Sequence, residues 1–275
     1  MSEAKQLSKK EQTALAAYSY EAGNTNDELD KDSYAIPRIA VLEKMSPEVD
    51  PDGGEYIEGA KAGLLCNKVM GELYESVKVI PVKRRRVYLE WTPRDQGGGF
   101  VAEHTVADGE ALMKQCTRNE KNVDITPNGT ELHNVLEFYV LYSTDGESFD
   151  PAVISMSRTR MAEGKKWNMR IDSFTRGGQK ISPHAQVYDI TTARREKDGN
   201  VSYLFKVGPT TFLPEAVSND GEVFAQAQAF LASIDSGGAK VDREAEAANG
   251  AHGPDGATGP DGATGTTVDN EAEDF

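Results

Sequence analysis

The chain has 275 residues, 38% of them hydrophobic, with 45 acidic against 30 basic side chains and a formal net charge of −15. That length holds one substantial core, and no run approaches the ~18 apolar residues a membrane helix needs, so no membrane partner is expected. Cys66 and Cys116 lack metal-type spacing and read as reduced thiols of a soluble intracellular protein.

Residues 1–34 form an acidic N-terminal arm in which Ser8-Lys9-Lys10-Glu11 matches a capping box and predicts a short helix over about 9–20. The polar stretch Gly23 to Ser33 then reads as a linker. From residue 35 the texture becomes β-rich. Ile36 to Leu42 predicts a first strand that starts at an edge because of Pro37. Ser46 to Gly63 is rich in turns. Leu64 to Asn67 and Ser76 to Trp91 are strands flanking a turn at Met70-Gly71-Glu72, with Pro81 expected at a bulge. Gly97-Gly98-Gly99 reads as a loop, and Asp108 as the cap of a helix over 109–116. Glu137–Tyr142 and Ala152–Met156 surround the Asp145-Gly146 turn. A helix is predicted over Arg158–Phe174, and a hairpin from Gln186–Glu196 and Val201–Val207 around Asp198-Gly199. Val223, Phe224, Ala227, Phe230, Leu231 and Ile234 trace a closing helical stripe. The core is therefore placed at 35–235, and 236–275 is read as a disordered Gly-rich acidic tail.

The acid is concentrated at the two ends, and the core holds dense positive charge. Residues 76–94 contain six Lys/Arg against one Glu, and 158–176 contain six against two acids. In the first segment, Lys83, Arg84, Arg85, Arg86 and Arg94 are interleaved with Tyr88 and Trp91. On a strand, alternate residues share a face, so Arg84, Arg86, Tyr88 and, past a bulge, Trp91 are candidates to line one side. Cations that neutralise phosphates beside rings that stack on unpaired bases are what a single strand requires. An ordinary solvated edge strand would look similar. The second segment carries Arg158, Arg160, Lys165, Lys166, Trp167 and Arg170 on a predicted helix, with Trp167 equally suited to the core. Arg194 and Arg195 near the hairpin tip form a third basic spot, and Tyr139 is a further stacking candidate.

Enzyme signatures are sparse. The phosphate-loop and nucleophile-elbow patterns are absent. His104, His133, His184 and His252 are scattered singly and read as turn or surface residues. Asp150 followed by Glu163-Gly164-Lys165 loosely matches a metal-dependent nuclease arrangement, in a span too short to be specific. No catalysis, no metal and no cofactor are expected.

Five Gly-X-Y triplets run from Gly253 to Thr267, with too few prolines for an independent triple helix. The chain then closes on Asp269-Asn270-Glu271-Ala272-Glu273-Asp274-Phe275. A terminal aromatic on an acidic tail has no folding role, but it suits competition for a basic groove or docking into a partner's basic pocket.

This ending resembles the C-terminal tails of single-stranded DNA-binding proteins. The bacterial type has Pro before the final Phe, where this chain has Asp274, so the phage replication type is nearer. Tyr56-Ile57-Glu58-Gly59-Ala60-Lys61-Ala62-Gly63, Asn67, Gly71-Glu72-Leu73-Tyr74 and Lys78 to Arg94 are similar to a segment found in phage-encoded proteins, some of them described as single-stranded DNA-binding. The likeness spans roughly 35–94 and, more loosely, 130–210. It implies a mostly β, α+β fold: an OB-like barrel elaborated with extra helices, with a basic and aromatic groove. It also implies a tail whose Asp269, Glu271, Glu273, Asp274 and Phe275 recruit a polymerase or helicase. A bare OB barrel needs only about five strands, so the surplus implies insertions or a second subdomain.

The expected function is sequence-independent binding of single-stranded DNA in phage replication and recombination, in the host cytoplasm, with homo-oligomerisation left open. Two other classes remain beside it: a virion or scaffold-type structural protein with a collagen-like tail, and a metal-dependent nuclease or recombination enzyme.

Overall fold

The computed structural model describes residues 36–237, apart from Lys121 and Asp198, together with Val241 and Arg243. The N-terminal helix and linker, the Gly-X-Y repeats and the acidic terminus from Asp269 to Phe275 lie outside the described residues.

The fold is mostly β with some helices, built on a strongly curled half-barrel sheet consistent with an OB-like barrel. Two long antiparallel strands form its spine, β4 (Val77–Trp91) and β8 (Glu131–Ser143). Each is flanked by two shorter strands in succession along its other edge. Residues 77–79 of β4 pair with β12 (Gln186–Lys197) and residues 88–91 with β5 (Phe100–His104). Along β8, Val135–Tyr142 pair with β9 (Asp150–Ser157), and Glu131–Leu132 with β7 (Asp124–Ile125). The edges are β13 (Asn200–Phe212) beyond β12 and β6 (Thr117–Arg118) beyond β7. A separate small sheet holds β1 (Ile39–Val41), β2 (Leu65–Asn67) and β3 (Glu72–Tyr74), and β10 (Thr175–Arg176) with β11 (Gln179–Lys180) closes a tight hairpin.

Pro81 does what its sequence position predicts. The β4–β8 register slips between Pro81 and Lys83, so Val82 is the extra residue of a bulge and the alternation of faces changes phase. Before the slip, Val77 and Val79 enter the cluster around Trp167, while Ile80 and Val82 enter the opposite one. After it, Val87, Leu89 and Trp91 form a third cluster with Val135 and Phe100.

Among the described residues, three helices of eight or more residues cover the sheet: α1 (Val106–Met113), α2 (Met161–Ser173) and α3 (Asp220–Asp235). With the small sheet, α2 packs one face. Trp167 is fully buried there, stacked on Phe138 at 4.3 Å and edge-on to Tyr188. The other face is packed by α3, whose Val223, Ala227 and Phe230 are buried as the stripe predicts. Asn67 ties the small sheet to β8 by donating to the Tyr142 hydroxyl, while its carbonyl accepts from Val69 and Met70 to shape the β2–β3 turn. Gly63 has φ +94°, and a side chain there would strike the Tyr203 ring at 2.6 Å.

Several local expectations change. Helix α1 is capped by Thr105, whose Oγ accepts from Asp108 N–H while donating to the Asp108 carboxylate; Asp108 is the reciprocal partner three residues in, so the helix begins earlier than 109. A tight turn over Arg158–Arg160, with Arg158 at φ +43°, delays the start of α2 to Met161. The strands β3, β5, β6, β7, β10 and β11 were not legible because they are short and largely exposed, leaving no periodicity to read. His133 is buried within β8 beside Glu131 rather than lying at a turn or on the surface. His184, as expected, sits in a turn, where its Nε2 lies 3.1 Å from the Val82 carbonyl. Cys66 and Cys116 are free thiols, and burial pushes Cys66 up to about 11.

Candidate nucleic-acid interface

Every cation of the run Lys83 to Arg86 meets an acceptor supplied by a neighbouring element. The Lys83 ammonium lies 2.6 Å from Asp235 at the end of α3. Arg84 reaches across to α2, bonding Asn168 Oδ1 at 3.1 Å and Asp172 at 2.9 Å, and this pairing holds Asp172 below its ordinary pKa. Arg86 donates to Glu110 of α1, to Asn134 of β8 and to the Tyr88 hydroxyl. Arg85 turns to the face covered by α3, where it grips both oxygens of Glu103 and one of Glu137.

The rings interleaved with these cations are inside the protein. Tyr88 is 2% exposed because α1 seats directly on it: a Cβ at Gly109 would lie 2.2 Å from the Tyr88 ring. Trp91 is 3% exposed and packs edge-on against Phe100. Tyr139 lies under the Arg85 guanidinium, and burial, aided by the Glu137 carboxylate, pushes its hydroxyl up to about 12. The expectation that Tyr88, Trp91, Trp167 and Tyr139 line a stacking face is therefore corrected. Arginines lying across ring faces produce the same interleaved pattern in sequence as a base-binding groove does. Arg94 opens a short helical turn, Arg94–Gln96.

In the second basic segment, two arginines serve the sheet edge. The outward N–H of Tyr203 on β13 donates to Glu43, and Arg160, 3% exposed and ion-paired to Glu43, donates to the Tyr203 carbonyl. Four residues on, Val207 N–H donates to Glu163 and Arg170 donates to the Val207 and Gly208 carbonyls. Each Glu/Arg pair thus stands in for a missing strand, offering an acceptor to the amide and a donor to the carbonyl. That corrects the expectation that Arg160 and Arg170 present their guanidinium groups to a phosphate. It also gives Glu163 a structural task, and among the described residues no group of three or more His, Cys, Asp or Glu is placed to hold a metal.

The surface of α2 presents Lys165, Lys166 and Met169, the last 72% exposed, together with Ala162, Asp172 and Ser173. Lys166 lies 3.5 Å from the Glu163 carboxylate. Arg158 precedes this strip in an exposed turn. On the hairpin, Arg194 stands opposite Tyr203 on the sheet face that α2 covers, ion-paired with exposed Glu196 at 2.7 Å, while Arg195 is exposed on the other face. No helix among the described residues is long and apolar enough to cross a membrane.

A curled, antiparallel half-barrel with helices laid on both faces defines an OB-like α+β protein. The family model described as Pam3 phage gp34-like protein matches residues 5–240, and the chain belongs to that phage protein family. No curated protein and no solved structure matches the chain.

Proposed function

We propose that this phage protein binds single-stranded DNA, without sequence preference and without catalysis, in replication and recombination in the host cytoplasm. The observation that carries the reading is the exposed strip on α2. Lys165 and Lys166 are not absorbed into the interior, and Met169 beside them offers an apolar surface on which a base can rest. Membership of a phage family and a curled OB-like sheet agree with it. In this reading phosphates follow Lys165 and Lys166 toward Arg194, and the basic run of β4 supports the sheet from within. The acidic terminus, with Glu271, Glu273, Asp274 and Phe275, competes for the same lysines and, once displaced, is presented to a polymerase or helicase.

The test is fluorescence anisotropy of labelled oligo(dT) against a duplex of equal length, at low and high salt, with the full chain and with residues 269–275 removed. Intrinsic tryptophan quenching is a poor reporter because both indoles are buried. Salt-sensitive binding of the single strand alone, strengthened by tail removal, supports the proposal. Absence of binding in both forms overturns it.

A second reading, a virion or scaffold-type structural protein, draws support from the engagement of Lys83, Arg84, Arg85 and Arg86 with carboxylates and from the net charge of −15. It predicts large assemblies in light scattering that are indifferent to nucleic acid.

A further inference from the structure

On the sheet face opposite α2, a closed ring of four charges joins β4, β5 and β8 to a residue beyond α3. Glu137, fully buried, gives one oxygen to Arg85 at 2.8 Å and the other to Arg243 at 2.6 Å. Glu103 gives one oxygen to Arg85 at 2.7 Å and shares the other between Arg85 and Arg243, both within 2.9 Å. The Arg243 Nε adds a contact to Glu103 at 3.1 Å, and its guanidinium lies 5.8 Å from the Phe100 ring centroid. Charges alternate around the ring and sum to zero. Arg243 itself is 6% exposed, although it stands only eight positions after the end of α3 at Asp235.

We propose that Glu103, Glu137 and Phe100 form a guanidinium-binding socket, and that Arg243 occupies it as a latch fastening the root of the C-terminal segment to the sheet. The socket has three properties suited to a planar guanidinium, and the first of them an ammonium cannot satisfy. Two carboxylates present their oxygens to one fork from different strands. An aromatic ring flanks the cation. Arg85 already neutralises one carboxylate, leaving room for one further positive charge. Two carboxylates sharing one counter-ion in a largely buried site are costly, so the empty socket favours any guanidinium that reaches it. The latch also fixes where the acidic tail begins. Arg243 sits on the far face from Lys165 and Lys166, so the tail must pass the sheet edge to reach them. The inference concerns the socket alone and does not depend on DNA binding.

The experiment is chemical rescue in the full chain. Arg243→Ala is expected to lower Tm by about 10 °C, because it leaves Glu137, fully buried, and Glu103 to share the single charge of Arg85. Methylguanidinium at roughly ten times its Kd should restore about 3 °C, methylammonium at equal concentration nothing, and the wild type should not respond. The double variant R243A/E137Q should lose the response. If Arg243→Ala does not fold, the same titration on Arg243→Lys, which keeps the charge but not the fork, takes its place. A wild-type Tm in Arg243→Ala, or equal rescue by the two cations, overturns the proposal.

Discussion

The two basic segments of this chain look alike in sequence and end in opposite circumstances. Lys83 to Arg86 belong to a central strand paired with β8 and covered by helices on both faces, so each cation finds a carboxylate or amide already waiting. The segment from Arg158 to Arg170 is a tight turn leading into α2, a helix with one face in the core and the other in water. It spends Arg160 and Arg170 on the β13 edge and leaves Lys165 and Lys166 outside. Cation density in a sequence measures how much charge is present. Whether that charge is available depends on how many elements surround the strand or helix that carries it.

The comparison breaks most readily at Arg85. Replacing it with alanine leaves Glu137 buried with one counter-ion instead of two and should cost about 3–5 kcal/mol of stability. Arg84→Ala and Arg86→Ala remove pairs that reach solvent and should cost about 0–1 kcal/mol each. Urea denaturation of the three variants checks this. A loss at Arg85 no larger than at Arg86 would refute the distinction between cations paired with interior and with exposed carboxylates within β4.

Acid should act on the same ring. Burial alone would raise the Glu103 pKa, but Arg243 and Arg85 outweigh it and hold the carboxyl below its ordinary value. A group depressed in the folded state contributes stability that is fully present above its unfolded pKa. The contribution is lost as pH falls through the lower, folded value. Thermal stability should therefore fall below the ordinary carboxylate range, and Glu103→Gln should flatten that fall while lowering stability at neutral pH. A pH profile unchanged by the substitution would show that the ring is not a linked electrostatic unit.

How far these arrangements were legible follows from the same contrast. The long strand with Pro81 at its bulge, the hairpin around Asp198-Gly199 and the apolar stripe of α3 could be read because local chemistry decides them. The burial of Tyr88 could not, since it depends on Gly109 letting a helix approach from twenty residues further along. Nor could the partners of Arg85, which come from β5, β8 and the segment beyond α3. The Arg/Tyr alternation was read as a face for bases when its rings lie beneath the protein's own guanidinium groups. Glu43 and Glu163 as edge caps carried no signal at all, because a carboxylate that satisfies a strand amide looks like any surface acid.

The finest discrimination lies on α2. Lys165→Glu with Lys166→Glu alters two exposed side chains and should leave stability within about 0.5 kcal/mol of the wild type. If those lysines hold phosphates, the same pair should weaken oligo(dT) binding and lower the slope of log affinity against log salt by about 2. Arg84→Ala, whose guanidinium is held by Asn168 and Asp172, should leave that slope unchanged. The slope separates the two segments more cleanly than affinity does, because it counts displaced counterions and is insensitive to a modest loss of folded protein. A slope that falls with Arg84→Ala and not with the lysine pair would return the interface to β4. Its ion pairs would then have to open on binding, and the half-barrel would have to offer DNA the charges it uses to hold itself together.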